Sequence, residues 1–130
     1  MATILIVDDS PTLRRMLKKE LSGLGHEVTE FGDGVTALDY LASHVPALVI
    51  SDVNMAPMDG FSFVNQVRRQ HPREQLPVLF FTTEASDALK QRGRDAGANG
   101  WLTKPLVVAQ LQRAIQHLLR HLPAPQAAAP

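Results

Sequence analysis

The feature that most constrains the fold is an alternation of short, mostly apolar runs with longer stretches of helical periodicity. The runs cover residues 3–7, 26–31, 47–50, 77–81 and 100–103. Short runs rich in Ile, Val, Leu and Phe are typical of buried strands, and the weaker alternation of 26–31 predicts an outer strand. An alternation of strands and helices predicts parallel β-α-β crossovers with helices on both faces of one doubly wound sheet.

The stretches between the strands carry signals for the ends of helices. Ser10 followed by Pro11 predicts an N-cap and a first helical residue, and Gly25 predicts the C-cap of the same helix. Apolar residues at helical spacing predict further helices around residues 37–41, 61–67, 85–96 and 111–122. The basic pairs at 14–15, 18–19 and 68–69 are expected on solvated helix faces.

Length and composition favour one domain with a protein partner. The 130 residues carry 13 basic and 13 acidic side chains, so no basic footprint points to direct nucleic-acid binding. The absence of cysteine, of a leader and of a long apolar run predicts a cytoplasmic protein without membrane insertion. Residues 1–121 are expected to form the domain, and the Pro/Ala-rich residues 122–130 a flexible tail or, alternatively, a docking segment.

Polar side chains follow four of the five predicted strands. Asp8 and Asp9 follow the first strand, Asp52 closely follows the third, Thr82 follows the fourth and Lys104 follows the fifth. Because ligands of open α/β sheets bind at the carboxyl ends of the strands, these side chains are expected in one crevice. Three carboxylates, a hydroxyl and an ammonium group together indicate phosphoryl transfer.

Neighbouring carboxylates repel one another unless a cation lies between them. Mg²⁺ prefers oxygen ligands and works with one or two carboxylates and phosphate oxygens, so Mg²⁺ is the predicted cofactor. An aspartate can then act as a covalent phosphoryl acceptor while the metal and the lysine neutralise charge.

The motifs that carry this chemistry resemble the receiver domains of two-component response regulators, in particular CheY-like single-domain chemotaxis regulators. They are VDDS (7–10), DVNMAPMDG (52–60), FTTEA (81–85) and AGANGWLTKP (96–105), in order and at matching distances. The resemblance covers residues 3–121 and implies a flavodoxin-like, five-stranded parallel sheet of order 2-1-3-4-5.

The resemblance also implies a role for each acid. Asp52 matches the phosphorylated aspartate, and Asp8 and Asp9 match the acidic pair that holds Mg²⁺ together with Asp52. The backbone carbonyl of Asn54 matches a further metal ligand.

Beyond the acids, Lys104 is implied to pair with the phosphoryl group, and Thr82 to donate its hydroxyl to that group. Trp101 matches a switch aromatic, although core packing is an equally good interpretation of a lone tryptophan. The Lys104–Pro105 bond matches a cis peptide, and Gly60 matches the glycine after the active-site loop.

A receiver accepts its phosphoryl group from a histidine kinase and loses it again through its own chemistry, so it is a switch with autophosphorylation and autodephosphorylation activity, not a turnover enzyme. The resemblance implies a monomer that signals through a protein target on its fourth helix, fifth strand and fifth helix. Asn54 and Glu84 favour chemotaxis and a flagellar motor target. A phosphate sink and a regulator of a non-flagellar pathway are the competing roles.

Two other classes of protein remain open on the sequence. A phosphatase of the haloacid dehalogenase type shares the Asp, Thr, Lys and Mg²⁺ set, but needs a second acid two residues after its nucleophile, where Ser10 and Asn54 stand. A binding-only pseudo-receiver is the other alternative, because Ala56–Pro57 and Thr83 depart from the usual receiver pattern.

Overall fold

The computed structural model describes residues 2–120. Strands and helices alternate through this range, as predicted. In chain order the elements are β1 (Thr3–Val7), α1 (Pro11–Gly23), β2 (Glu27–Phe31), α2 (Gly34–Leu41), β3 (Leu48–Ser51), α3 (Gly60–Gln70), β4 (Val78–Thr82), α4 (Asp87–Ala96), β5 (Gly100–Thr103) and α5 (Val108–Arg120).

The strands form one parallel sheet of order β2-β1-β3-β4-β5, which confirms the predicted doubly wound, flavodoxin-like topology. Because alternate strand residues face opposite sides, each face of the sheet has its own core. Leu5 and Val7 of β1 pack with α2, α3 and α4, whereas Ile4 and Ile6 pack with α1 and α5. The helices thus cover both faces and leave the carboxyl edge of the sheet open.

Several predicted boundaries were wrong by one or two residues. The strand β2 begins at Glu27, β3 runs from Leu48 to Ser51, and β4 runs from Val78 to Thr82. Strand ends depend on pairing with neighbouring strands, which an apolar run does not reveal. The helix α4 begins after Ser86, whose side chain accepts the N–H of Leu89 at 3.2 Å.

The predicted N-cap of α1 is present, but the predicted C-cap was wrong by one residue. The Ser10 hydroxyl accepts the N–H of Leu13 at 3.2 Å, and Pro11 is the first helical residue. The helix ends at Gly23 with Leu24 as its C-cap, and Gly25 follows with φ of +91°, a conformation that glycine adopts without steric cost.

The prediction that the basic pairs lie on solvated faces was wrong for Arg14 and Arg68. The Arg14 guanidinium pairs with Glu30 at 2.9 Å and also donates to the Asp8 carbonyl. Arg68 donates to carbonyl oxygens around the carboxyl end of α3. Both side chains bridge elements distant in sequence, so helical position alone could not reveal them.

Within residues 2–120, no helix combines the length and apolarity needed to cross a membrane. The predicted tail at 122–130 and the extension of the last helix to Leu122 lie outside the described residues.

Candidate functional site

Three residues of the predicted site each stand directly after a strand, and their backbone N–H groups continue the hydrogen bonding of the sheet by one residue. The Asp8 N–H donates to the last carbonyl of β2 (3.1 Å), and the Asp52 N–H donates to the last carbonyl of β1 (3.0 Å). The Lys104 N–H donates to the last carbonyl of β4 (2.7 Å). The three side chains therefore start from fixed backbone positions at the carboxyl edge.

Three carboxylates meet at this edge. Asp8, Asp9 and Asp52 each offer a carboxylate oxygen, and these oxygens all lie within 4.8 Å of one another. Asp8 and Asp52 are buried, while Asp9 is exposed. An all-oxygen donor set of this size and charge fits a hard divalent cation such as Mg²⁺.

The Lys104 ammonium group lies between the two buried acids. Its Nζ is 3.2 Å from Asp8 Oδ2 and 3.1 Å from Asp52 Oδ2. The second oxygen of Asp52 accepts the N–H of Val53 at 2.7 Å, and that of Asp8 accepts the N–H of Ser10 at 2.8 Å. Burial nevertheless raises the pKa of Asp8, so its negative charge is only partly compensated.

Thr82 ends β4 and is fully buried. Its hydroxyl oxygen accepts the N–H of Glu84 at 3.4 Å, which ties the side chain to the β4–α4 loop. Glu84 in turn accepts a hydrogen bond from the Asn54 side chain, with 3.1 Å between Nδ2 and Oε2. The loops after β3 and β4 are therefore connected across the site.

Gly60 lets the start of α3 approach the loop that carries Asp52. A Cβ at this position would lie 2.4 Å from the Asp52 carbonyl oxygen and 2.8 Å from Val53 Cα. The Gly60 N–H also donates to the Val53 carbonyl at 2.8 Å. Only a residue without Cβ permits this backbone contact, which explains the glycine that the motif contains.

Trp101 lies in β5, half-buried against the core on the α4 side of the sheet. Its ring packs edge-on against Phe80, with 5.5 Å between centroids and 72° between planes. The indole Nε1–H donates to the Glu84 carbonyl at 2.9 Å. Trp101 thus both packs in the core and contacts the loop that follows Thr82, so the two interpretations of the sequence are compatible.

The sequence did not reveal two residues that hold the acids in place. The Arg14 guanidinium donates to the Asp8 carbonyl, and the buried Ser51 hydroxyl donates to the Asp52 carbonyl at 2.9 Å. An arginine in the first turn of the helix that follows the acids is a weak signal for the first contact. No pattern in the sequence points to the second. The Lys104–Pro105 bond is cis, as the resemblance implied, and the Ala56–Pro57 bond is also cis.

Residues 4–116 match the Response regulator receiver domain family. The match covers most of the chain and includes every side chain described at the site, so the protein belongs to the response regulator receiver domain family.

Within this family the chain is similar to chemotaxis regulators. A chemotaxis protein CheY homolog from Campylobacter jejuni is 36% identical over 118 residues, covering 89% of this chain and 91% of that protein. The structure of the Vibrio cholerae chemotaxis protein CheY4 is 42% identical with a TM-score of 0.85, covering 91% of this chain and 98% of that one. These similarities support a CheY-like receiver.

Other relatives show the same domain in different settings. The receiver domain of the sensor histidine kinase PA1611 from Pseudomonas aeruginosa is 28% identical with a TM-score of 0.83, covering 92% of this chain and 98% of that one. That domain carries a magnesium ion in its active-site cleft. Some curated relatives are much longer, and this chain spans 10% of one sensor protein and 50% of one response regulator.

Proposed function

We propose that this chain is a phosphoacceptor switch, which receives a phosphoryl group on Asp52 from a histidine kinase and signals by binding another protein. The observation that carries the proposal is the meeting of three carboxylates with one ammonium group at the open edge of the sheet. Lys104 contacts both Asp8 and Asp52, and of these two acids Asp52 is the one that begins the loop after the central strand β3.

In the transfer step, a carboxylate oxygen of Asp52 attacks the phosphorus of a phosphohistidine. A P–O bond forms and the P–N bond breaks, and the histidine nitrogen keeps the electron pair and takes a proton from solvent. Lys104, already 3.1 Å from Asp52, neutralises charge on the phosphoryl oxygens. Water later attacks the acyl phosphate, which releases inorganic phosphate and restores the carboxylate.

Asp8, Asp9 and Asp52 are the side chains that would hold Mg²⁺, with the backbone carbonyl of Asn54 as a further ligand. When bound, the metal supplies positive charge to the acids and to the incoming phosphoryl oxygens.

The output follows from the position of Thr82. Its hydroxyl turns towards the new phosphoryl oxygens, which moves the β4–α4 loop and favours packing of Trp101 beneath it. A shift between two existing conformations then changes the surface of α4, β5 and α5, where the protein target binds.

We place this switch in chemotaxis, as a cytoplasmic monomer with a flagellar motor target. The CheY homolog and CheY4 similarities support this role, as does the Asn54–Glu84 pair. Deletion of the gene in its own host, with swimming reversals as the readout, tests this part separately. Unchanged reversals would contradict the motor role and leave the phosphorylation chemistry standing.

Labelling with a radioactive phosphodonor and Mg²⁺ tests the site itself. The parent should take up about one phosphoryl group per chain in acid-stable but base-labile form. Asp52→Asn should lose the label, whereas Asp39→Asn, which changes an exposed acid on α2, should retain it. Equal labelling of Asp52→Asn would refute the assignment. A parent that binds Mg²⁺ but never takes up label would be a binding-only receiver.

A further inference from the structure

We propose that Gly93 is a positioning residue for the switch, because its missing side chain creates the recess in which the indole of Trp101 packs. The proposal rests on the function proposed above and adds a residue on α4 that controls it. The position of the indole seen here, against Gly93 and under the β4–α4 loop, is called the packed position below.

The recess follows from the distances around Gly93, a buried residue in the interior of α4. A Cβ built on Gly93 would lie 2.9 Å from Trp101 Cζ3, 3.1 Å from Trp101 Cε3 and 3.3 Å from Phe80 Cδ2. The first distance is shorter than real side chains show, so even a methyl group displaces the ring. Glycine is disfavoured inside helices, and close packing of the indole gives a physical reason for it here.

Hydrogen bonding gives the packed position its link to the site. The indole Nε1–H donates to the Glu84 carbonyl at 2.9 Å, and the side chain of Glu84 accepts from Asn54 at 3.1 Å. Glu84 stands two residues after Thr82, and its N–H contacts the Thr82 hydroxyl oxygen. An indole ring displaced from α4 therefore strains or breaks its hydrogen bond to the loop that follows Thr82.

The ring also has space on another side. A cavity of about 90 Å³ between α4 and β5 is lined by Trp101 together with Lys90, Arg94 and Asn99. An indole displaced by a Cβ at position 93 can move into this space while the sheet stays intact. Residue 93 thus sets the balance between the packed position and a displaced one.

Thermodynamic reciprocity makes the consequence measurable. If phosphorylation stabilises the packed position, then a change that lowers the population of this position weakens binding of a phosphoryl mimic by up to the factor by which that population falls. Mg²⁺ binding in the absence of the mimic involves the acids and the Asn54 carbonyl but not the Thr82 hydroxyl, so it should be unaffected. This difference separates an effect through Trp101 from a general loss of structure.

The test compares Gly93→Ala with Gly23→Ala, where a Cβ on the last residue of α1 meets nothing within 4 Å. Trp101 is the only tryptophan of the chain, so acrylamide quenching of fluorescence reports its exposure directly. Calorimetry measures the affinity for Mg²⁺ and then for beryllofluoride. Gly93→Ala should increase quenching and weaken beryllofluoride binding about fivefold or more, with unchanged Mg²⁺ affinity. Gly23→Ala should match the parent in all three.

A second variant keeps the test decisive if Gly93→Ala folds poorly. Trp101→Phe removes the ring atoms nearest to Gly93, so Gly93→Ala placed in that background should fold and should no longer affect beryllofluoride affinity. An equal loss of affinity in both backgrounds would overturn the proposal, as would unchanged quenching in Gly93→Ala. A parent that binds no beryllofluoride would refute the proposed function and the coupling, whereas quenching would still decide whether Gly93 positions the ring.

Discussion

The Asp8 side chain affects both the stability of the fold and the binding of metal. It is 2% exposed, and burial raises its pKa above the ordinary value of 3.8 despite the nearby Lys104 ammonium and Ser10 N–H. An acid with a raised pKa in the folded state stabilises the fold while it is protonated. That contribution is present below pH 3.8 and is lost as the pH rises through the raised pKa. At neutral pH the ionised acid is therefore unfavourable for folding without metal.

We expect Asp8→Asn to affect fold stability and Mg²⁺ affinity in opposite directions at neutral pH. In metal-free protein, urea unfolding should show that the variant gains stability relative to the parent as the pH rises from about 4 to about 7. Calorimetry at neutral pH should show Mg²⁺ affinity at least about tenfold lower, because one ligand is lost. A stability difference that stays constant over this pH range would contradict the assigned cost of the Asp8 charge. Asp39→Asn is the control for loss of one negative charge on the surface.

Arg68 connects the end of α3 to two segments near β4 and β5. Its guanidinium donates to the carbonyls of Gly97 (2.9 Å), His71 (3.0 Å) and Leu76 (2.7 Å), and to the side-chain oxygen of Asn99 (2.8 Å). Burial lowers the pKa of Arg68 to about 10, which leaves the group charged at neutral pH. The Arg68 side chain thus donates to acceptors in three segments that belong to no strand or helix.

Arg68→Met should lower the free energy of unfolding by about 3 kcal/mol, because it leaves partly buried acceptors without a donor. Arg68→Lys should lose an intermediate amount, since an ammonium group cannot match the planar fork of the guanidinium. The matched control is Arg69→Met, which changes an exposed neighbour on the same helix and should alter stability by no more than about 0.5 kcal/mol. Equal effects at the two positions, measured by urea unfolding, would rule out the connection described for Arg68.

The difference between what could and could not be predicted lies in the range of the interactions. The strand runs and the α1 N-cap are local patterns, and the rule that parallel strands expose their carboxyl ends brought Asp8, Asp52 and Lys104 together. The partners of Arg68 and the recess at Gly93 depend on which loops pass nearby, which no single-sequence pattern encodes. The strand order itself came from resemblance, because alternation predicts parallel crossovers but leaves several orders possible.

The acid cluster depends on the folding of the whole domain, because the sheet holds the acids in position. Asp8 follows β1 and Asp52 follows β3, two neighbouring strands in the centre of the sheet with buried residues on both faces. Unfolding separates these strands and with them the ligands, so the unfolded chain offers no comparable site. A metal that binds only the folded state stabilises it by RT ln(1 + [Mg²⁺]/Kd).

We therefore expect the urea midpoint of the parent to rise with the logarithm of Mg²⁺ concentration, while the dependence of the free energy on urea stays constant. The gain should reach about 2.7 kcal/mol at one hundred times the calorimetric Kd. At the same Mg²⁺ concentration Asp8→Asn should show no more than about half of this gain, and NaCl at matched ionic strength should show none, because screening does not replace coordination. The same gain with NaCl would mean that the acids respond to general screening. A gain well below the calorimetric value would mean that the unfolded chain also binds the ion, in which case the cluster would not depend on the central strands as the fold implies.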